Sequence, residues 1–376
     1  MELQQILSEL IAIDSTSNLS NDPFVTYVEK FVAESDVICH RLPSHEEGKF
    51  DVLLTKGEPS TLGLTLCGHM DTVPANAEKW QSDPWNLTER DGNWYARGSC
   101  DMKGFVAIAL QAIVKANVHS GCLAVLLLCD EELGSYGAKH ILEQGLPVSI
   151  PKQVIIGEPT SLQTVRLHKG HLSMRVTIQG ISAHTGSPHL GKNAAIAGGK
   201  VICALAELSK KYELCTTDSS EHFSKELNFP VLTVATINSG NAINVVPESC
   251  ELGIGLRLLP DQEKDTAIAE IKDAISEVCS LPWTLEELGD NPTMLTPENS
   301  EINKWLCSYI GQSCSVGVSY GTDGGYMSRA GYDCVLYGAG DIAVAHKPNE
   351  FVPMAEMEIC VETIDSAIQH FCGEKS

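Results

Sequence analysis

The apolar positions near the start of the chain recur every three or four residues, which is the spacing of one face of an α-helix. They are Leu3, Ile6, Leu7, Leu10 and Ile11. The pattern predicts an amphipathic helix over this segment. A second helix is expected to begin at Asp22-Pro23, because Asp favours the N-cap position and Pro fits the first turn.

Apolar segments without alternation follow, as expected of strands that are covered on both faces of a sheet. The clearest is CLAVLLLC at 122–129, and shorter ones occur at 64–68, 154–157 and 334–337. A helical pattern over 102–116 precedes the clearest of these strands. Helices that alternate with buried strands indicate an α/β domain with a mostly parallel sheet.

The pattern changes near residue 170, where polar and apolar residues alternate as in a strand with one face in solvent. After this strand, at 172–178, the sequence predicts a helix, two strands, a helix and a strand, at 192–212, 231–237, 251–259, 263–279 and 283–288. This β-α-β-β-α-β order predicts a small α+β domain. We expect it at 170–285, inserted into an α/β domain formed by 1–169 and 286–376.

Composition limits the classes of partner. The chain of 376 residues carries 26 Lys and Arg against 49 Asp and Glu, so its formal net charge is −23. Apolar residues make up 43% and charged residues 20%, a balance typical of globular proteins rather than disordered chains. Nucleic acids and anionic membranes attract clustered Lys and Arg, which this sequence lacks. We therefore expect a small molecule, not a nucleic acid or a membrane, as the partner.

Three features of the sequence predict its cellular compartment. It has no apolar run of 18 residues that would span a membrane. Its first residues lack the basic start and apolar stretch of a secretory signal. The 14 cysteines are scattered without a C-x-x-C pair, which favours reduced thiols over a disulfide framework. Together these features predict a cytoplasmic protein.

Residues of the types that bind metals occur where predicted strands and loops end. His69 and Asp71 lie two apart, so their side chains share one side of an extended chain. Glu131 and Glu132 directly follow the buried strand at 122–129. Because adjacent side chains point in different directions, one of these glutamates can bind a metal while the other exchanges a proton.

Three further candidates complete the set. Asp101 precedes a predicted helix, Glu158 follows a buried strand, and His346 lies in a late loop. Each candidate alone also fits an ordinary role, such as a helix N-cap or a solvated turn. Together, two imidazoles and several carboxylates suit a pair of Zn²⁺ or similar ions.

Five motifs, in their order and intervals, resemble the dinuclear-zinc deacylase and exopeptidase family that includes acetylornithine deacetylase, succinyl-diaminopimelate desuccinylase and glutamate carboxypeptidase. The motifs are GHMDTVP (68–74), RGSCDMKG (97–104), DEELGSYGA (130–138), GEPT (157–160) and AHKPNE (345–350). SAHTGSPHLGKNA (182–194) and NVVPESCELGIGLRLLP (244–260) resemble the family's lid and dimerisation domain. The resemblance covers nearly the whole chain and implies a metal-dependent hydrolase of acylated amino acids or peptides.

The resemblance also implies a set of metal ligands. Two Zn²⁺ (or Co²⁺) ions per subunit would be bridged by Asp101. His69 and Glu158 would hold one ion, and Glu132 and His346 the other. The peptide bond after Asp101 resembles one that is cis in the family.

Catalytic roles follow from the same resemblance. Glu131 resembles the general base that activates water, and Asp71 the partner that orients His69. His184 resembles the histidine that reaches the active site from the other subunit of a homodimer, where it would stabilise an oxyanion.

Substrate contacts are assigned on weaker grounds. Arg257 would bind a substrate carboxylate with its guanidinium, with Asn244 in support, although Arg257 also fits a strand residue in a surface ion pair. Gly321 and Thr322 lie in a segment that resembles a substrate-site loop, where glycine permits close backbone approach.

Within the family, the acetylornithine deacetylase branch is favoured. The segments that resemble it are GEPTSLQTVRLHKGHL (157–172), GTDGG (321–325) and YGAGDIAVAHKPNEF (337–351). The expected reaction is hydrolysis of N-acetyl-L-ornithine to L-ornithine and acetate in arginine biosynthesis. Alternatives are a desuccinylase, an acetylcitrulline deacetylase, a dipeptidase or a non-catalytic metal-binding homologue. Three residues depart from the usual family pattern: Cys100, Phe105, where the family often has glycine, and Gly255. The departures at Phe105 and Gly255 leave substrate specificity open.

Overall fold

The computed structural model describes residues 1–374. Its α-helices in this range are α1 (Leu3–Ile11), α2 (Asp22–Val32), α3 (Lys103–Lys115), α4 (Tyr136–Gln144), α5 (Ala194–Tyr212), α6 (Lys264–Val278), α7 (Glu301–Ile310), α8 (Gly324–Arg329) and α9 (Met354–Cys372). Its strands are β1 (Ile38–Pro43), β2 (Phe50–Gly57), β3 (Gly63–His69), β4 (Thr88–Arg90), β5 (Asn93–Tyr95), β6 (Cys122–Leu128), β7 (Gln153–Ile156), β8 (Val165–His168), β9 (His171–Gln179), β10 (Ala183–His184), β11 (Val231–Ser239), β12 (Val245–Val246), β13 (Ser249–Arg257), β14 (Trp283–Asn291), β15 (Met294–Leu295), β16 (Val316–Val318), β17 (Asp333–Leu336) and β18 (Phe351–Pro353).

The chain divides into two compact units. The first consists of 1–167, 294–316 and 322–376, and the second of 168–293 and 317–321. The second unit thus begins two residues before the predicted insertion and extends further at its other end. One physical reason is that β14 continues to Asn291, which keeps the residues after 285 in the sheet of the second unit.

The first unit contains a mixed sheet with the strand order β1-β2-β6-β3-β7-β17-β8-β15, and β16 pairs with β8. Its centre is parallel, since β3 pairs in parallel with β6 and β7, and β7 with β17. All seven residues of β6 are buried, as its unbroken apolar sequence predicts. This arrangement confirms the α/β class with a mostly parallel central sheet.

The parallel register brings three strand ends to one edge of the sheet. His69 at the end of β3 is level with Leu128 at the end of β6. Cys67 on β3 is level with Ile156 at the end of β7. Residues that directly follow these strands therefore start from neighbouring positions, at the edge where α/β sheets bind ligands.

The second unit has the predicted order β9-α5-β11-β13-α6-β14. Its antiparallel sheet has the strand order β11-β13-β9-β14, so β11 is an edge strand. Residues 172, 174, 176 and 178 of β9 face a core that includes residues of α5 and α6. The alternation of buried and less buried positions on β9 confirms the predicted one-sided strand.

The structure tests two predictions, the start of the second helix and the absence of a membrane-spanning helix. Helix α2 forms where predicted, but the residue at its N-cap is Asn21, and Asp22 is already helical. The side chain of Asn21 instead bonds both backbone groups of Phe50. Within residues 1–374, no helix is long and apolar enough to cross a bilayer.

Candidate metal centre

His69 is the first side chain at the shared strand edge, and it is almost fully buried. Its Nε2 lies 3.0 Å from Oδ1 of Asp101. Its Nδ1 lies 2.9 Å from the carbonyl oxygen of Asp71 and 3.7 Å from the carboxylate of that residue. The ring is therefore held at Nδ1, with Nε2 directed toward Asp101.

Asp101 joins the two histidines. Its Oδ2 lies 3.2 Å from Nε2 of His346, while Oδ1 contacts His69. The peptide bond between Asp101 and Met102 is cis, as the resemblance implies. His346 has a positive φ of 61°, and its Nε2 lies 3.0 Å from the carboxylate of Glu132. The structure therefore brings together four predicted ligands from four separate segments of the chain.

Glu158 and Glu131 complete this acidic cluster. Glu158 is 4% exposed, and burial followed by the charge of Asp101 raises its pKa well above the usual value. Burial likewise raises the pKa of Glu131 well above its usual value, against the opposing charge of His69. Buried carboxylates that influence each other in this way repel when ionised, unless a cation lies between them.

The donor set fits divalent cations. One ligand atom each from His69, Asp101 and Glu132 lies within 4.8 Å of the other two, a spacing that allows a shared ion. Burial alone would lower the pKa of His69, but the hydrogen bond and charge of Asp101 hold it well above its usual range. The two contacts of His346 raise its pKa to about 10. Imidazole and carboxylate donors suit Zn²⁺ and related ions.

Asp71 supports the cluster in a second way. Its carboxylate accepts hydrogen bonds from the backbone N–H groups of Glu131 (3.1 Å) and Glu132 (3.2 Å), and from the hydroxyl of Ser17 (2.8 Å). Asp71, two residues after the end of β3, thus fixes the backbone of both glutamates. Groups that hold metal ligands in this way commonly affect metal affinity.

Asp130, the first acid of the DEE sequence, is compensated from within the first unit. Its Oδ1 lies 2.7 Å from Nζ of Lys49, and its Oδ2 lies 3.4 Å from Nε2 of His45. Of the three consecutive acids, Glu131 and Glu132 are therefore the two placed for the metal centre.

Sequence reasoning gave no individual role to some buried charged residues of the first unit. Asp323 is 1% exposed, and burial raises its pKa to about 7. Arg97 and Glu350 form a buried ion pair. Arg97 and Glu350 lie inside two of the motifs, so the sequence could indicate that both residues matter. It could not indicate that they pair with each other, because more than 250 residues separate them.

In the second unit, His184 and Asn244 lie close together. His184 is exposed on β10 and pairs with Val245 on β12, and the carbonyl of Asn244 accepts the N–H of Thr185 at 3.0 Å. Arg257 ends β13, whose eight residue steps span about 27 Å. Because β12 directly precedes the start of β13, the structure places Arg257 and the His184–Asn244 pair at opposite ends of this strand.

Gly321 and Thr322 are adjacent in sequence but belong to different units. A side chain at Gly321 would lie about 3.3 Å from the amide group of Asn291, within the second unit. Thr322 is buried in the first unit, and its hydroxyl accepts the N–H of Gly324 at 3.0 Å, at the start of α8. Their assignment to substrate binding stays a prediction.

Comparison with known proteins agrees with this geometry. A model of peptidase family M20/M25/M40 matches residues 65–370. The chain is 32% identical to an acetylornithine deacetylase of Myxococcus xanthus, over 99% of this chain and 98% of that protein. It is also 32% identical to an acetylornithine deacetylase of Proteus mirabilis (strain HI4320), over 96% and 93% of the two chains.

A solved structure shows the same fold. The crystal structure of a tripeptidase from Staphylococcus aureus superimposes with a TM-score of 0.77 at 21% identity, over 99% of this chain and 98% of that one. The likeness to that structure concerns the fold alone. The family match over most of the length and the two full-length relatives confirm the resemblance seen in the motifs: the chain belongs to peptidase family M20/M25/M40.

Proposed function

We propose that this protein hydrolyses the amide bond of N-acetyl-L-ornithine to give L-ornithine and acetate, as a step of arginine biosynthesis. The observation that carries the proposal is the contact series His69–Asp101–His346–Glu132, in which Glu131 is the residue directly before Glu132. The choice of substrate is supported by the two acetylornithine deacetylases that are 32% identical to the chain.

The proposed cofactors are two Zn²⁺ or Co²⁺ ions. Asp101 would contact both, His69 and Glu158 would hold one, and Glu132 and His346 the other. When bound, such ions polarise an amide carbonyl and lower the pKa of a water molecule. The contacts among His69, Asp101, His346 and Glu132, and the burial that raises the pKa of Glu158 and of Glu132, support this assignment.

Glu131 is the proposed proton carrier. It would accept a proton from the attacking water as the new C–O bond forms, and deliver it to the nitrogen as the C–N bond breaks. A general base acts best when its pKa lies near the working pH, and burial, which raises the pKa of Glu131, acts in that direction. Asp71 holds the backbone N–H of Glu131 and so keeps the carboxyl in place.

His184 is proposed to stabilise the oxyanion from the partner subunit of a homodimer. Within one chain it lies at the end of β13 opposite Arg257, the proposed ligand of the substrate carboxylate. A site that uses both residues is therefore easier to assemble from two chains, with Asn244 of the partner next to His184.

Exposed apolar side chains on the second unit support a homodimer. Where exposed apolar side chains lie next to one another, they usually mark an interaction surface. The large apolar residues exposed on the second unit are Ile181, Leu190, Ile196, Leu214, Leu227, Ile237, Ile243, Val245 and Leu288. Ile237 lies on the edge strand β11, whose free backbone groups offer a place for a second chain to pair.

A cytoplasmic location is proposed from the state of the cysteines. All 14 are free thiols, and ten of them are buried. Burial raises the pKa of thiols such as Cys360, to about 12, which keeps them protonated and unreactive. A chain with this many unpaired cysteines suits a reducing compartment.

The proposal is tested by metal removal and substrate comparison. The full-length protein is stripped with a chelator, reloaded with Zn²⁺ or Co²⁺, and assayed for free amine released from N-acetyl-ornithine, N-acetyl-citrulline, N-succinyl-diaminopimelate and simple dipeptides. We expect metal-dependent activity with preference for N-acetyl-ornithine. Preference for another compound would replace the substrate and keep the reaction. Two bound metals without any turnover would contradict an enzymatic function.

A further inference from the structure

Two loops supply neighbouring ligands of the proposed metal centre, and one buried glutamate connects them. Asp101 lies between β5 and α3, and His346 lies before β18. Their side chains approach to 3.2 Å. Glu350 follows His346 by four residues and is 1% exposed.

Glu350 binds the backbone that carries Asp101. Its Oε1 accepts hydrogen bonds from the N–H of Cys100 at 3.0 Å and from the N–H of Asp101 at 3.1 Å. Its Oε2 pairs with Nη1 of Arg97, which is also buried. Charge-assisted hydrogen bonds of this kind are directional and stronger than neutral ones.

The backbone around Glu350 strengthens this connection. Strands β5 and β18 pair antiparallel, with Tyr95 opposite Phe351. Just beyond that pair, the N–H of Ala96 donates to the carbonyl of Glu350 at 3.2 Å. The strand pairing aligns the two loops coarsely, and the Glu350 side chain then fixes the backbone of Asp101 itself.

We propose that Glu350 is a positioning residue that sets metal affinity by holding Asp101 against His346. Since Asp101 would contact both ions, an error in its position would affect both ligand sets. The inference rests on the proposed function, because it assumes that these side chains bind metal. Glu350 itself would touch neither metal nor substrate.

Metal binding to the full-length chain tests this role directly. Wild type, Glu350→Ala and the isosteric Glu350→Gln are stripped of metal, and Zn²⁺ titration and the visible absorption of the Co²⁺ form are measured. We expect about 10–100-fold weaker binding of at least one ion in Glu350→Ala, with an altered Co²⁺ spectrum. Glu350→Gln should lie between, because its amide oxygen can still accept both N–H groups while its NH₂ faces Arg97.

Asp261→Asn serves as a matched control. Asp261 also accepts a backbone N–H, from Ser219 at 2.9 Å, but it lies in the second unit. This variant should change stability at most, with metal affinity and the Co²⁺ spectrum unaltered. A general loss of stability in Glu350 variants would then be distinguishable from a loss of ligand placement.

Two outcomes would overturn the proposal in different ways. If folded Glu350→Ala and Glu350→Gln bind two ions as tightly as wild type, Glu350 has no positioning role and the proposed function stands. If wild type binds no metal at all, the proposed function fails and this inference falls with it. Should Glu350→Ala fail to fold, the isosteric Glu350→Gln decides the question.

Discussion

Glu131 and Glu132 are adjacent, yet the structure gives them different surroundings. The charge of His69 acts on both carboxyls and Asp71 holds both backbones, but the contact with His346 is made by Glu132. A single pair of acids can therefore divide metal binding and proton transfer between them. Substitution of Glu131 should therefore affect turnover, whereas substitution of Glu132 should affect metal binding.

Glu131→Gln should keep both metals and lose turnover. The glutamine retains the shape of the side chain but cannot accept the proton of the attacking water, so kcat should fall about 10²–10⁴-fold. Metal content by elemental analysis and kcat on N-acetyl-ornithine are measured together. Exposed Glu143 on α4 provides the control Glu143→Gln, which should be fully active. Near-normal kcat in Glu131→Gln at full metal content would contradict the assigned role.

We expect the free energy of unfolding to depend on pH because of Lys169, a residue of the second unit. It is fully buried, its Nζ donates to the carbonyl of Phe229 at 2.6 Å, and burial followed by the charge of Arg257 lowers its pKa from 10.5 to about 8. Below pH 8 the folded protein bears the full cost of the buried charge. Between about pH 8 and 10.5 the unfolded chain binds more protons than the folded one, so stability gains from this residue as the pH rises.

Lys169→Met should abolish this gain. Between pH 8 and 10.5 the free energy of unfolding of wild type should rise relative to the variant by up to roughly 3 kcal/mol. Urea denaturation at several pH values measures the difference. Lys200→Met, at an exposed position of α5, is the control and should show no such divergence. Parallel curves for wild type and Lys169→Met would show that Lys169 is not buried in the way described.

At the scale of elements, close packing of α3 against the end of β7 places Glu158. Phe105 on α3 covers Gly157, and an added Cβ there would lie 1.8 Å from the Phe105 ring. Phe105 stands where the family often has glycine, so the sequence marked it as unusual. The contact partner could not be predicted, because Gly157 lies 52 residues away on a different element.

Gly157→Ala should therefore destabilise the protein by about 1–3 kcal/mol, since a rigid ring must shift. Because Glu158 is the next residue, metal affinity should also fall. Gly199→Ala is the matched control: Gly199 is exposed on α5 with open space around it, and alanine should stabilise the helix by about 0.5–1 kcal/mol. Thermal unfolding of the metal-free forms compares the two. Equal stability of Gly157→Ala and wild type would argue against the described packing.

The sequence predicts best the strands with a simple hydrophobic pattern. Strand β6 is an unbroken apolar run, and β9 alternates strictly between apolar and polar residues. Strand β2 was not predicted, because it buries Asp51 and Lys56 among its apolar residues. Their partners are distant: Asp51 accepts the N–H of Cys129, and Lys56 pairs with Asp36. Buried polar residues need such partners, and a single sequence does not reveal them.

The candidate site shows the same limit. Its ligands could be anticipated because each follows a strand end or lies in a motif, and a parallel sheet brings such ends together. The groups that hold the ligands, Asp71 for Glu131 and Glu350 for Asp101, act through backbone N–H groups. Those contacts depend on the register of folded loops, which residue type alone does not fix.

At the scale of the whole molecule, the proposed homodimer makes a prediction about mixed subunits. If His184 acts on the partner's metal centre, a dimer of one Glu131→Gln chain and one His184→Asn chain has one site with both residues intact. The other site of that dimer lacks both. Co-expression in equal amounts should yield such heterodimers as half of the population, and so recover about a quarter of wild-type activity from two inactive variants.

A second mixture provides the control, because Glu131 and His346 lie in the same unit of the same chain. Heterodimers of Glu131→Gln with His346→Ala have no intact site and should stay inactive. Differently tagged chains allow each heterodimer to be isolated and assayed alone. Recovery in the first mixture but not in the second would establish that His184 serves the opposite subunit. Equal inactivity in both, with heterodimers present, would mean that His184 acts within its own chain or not at all.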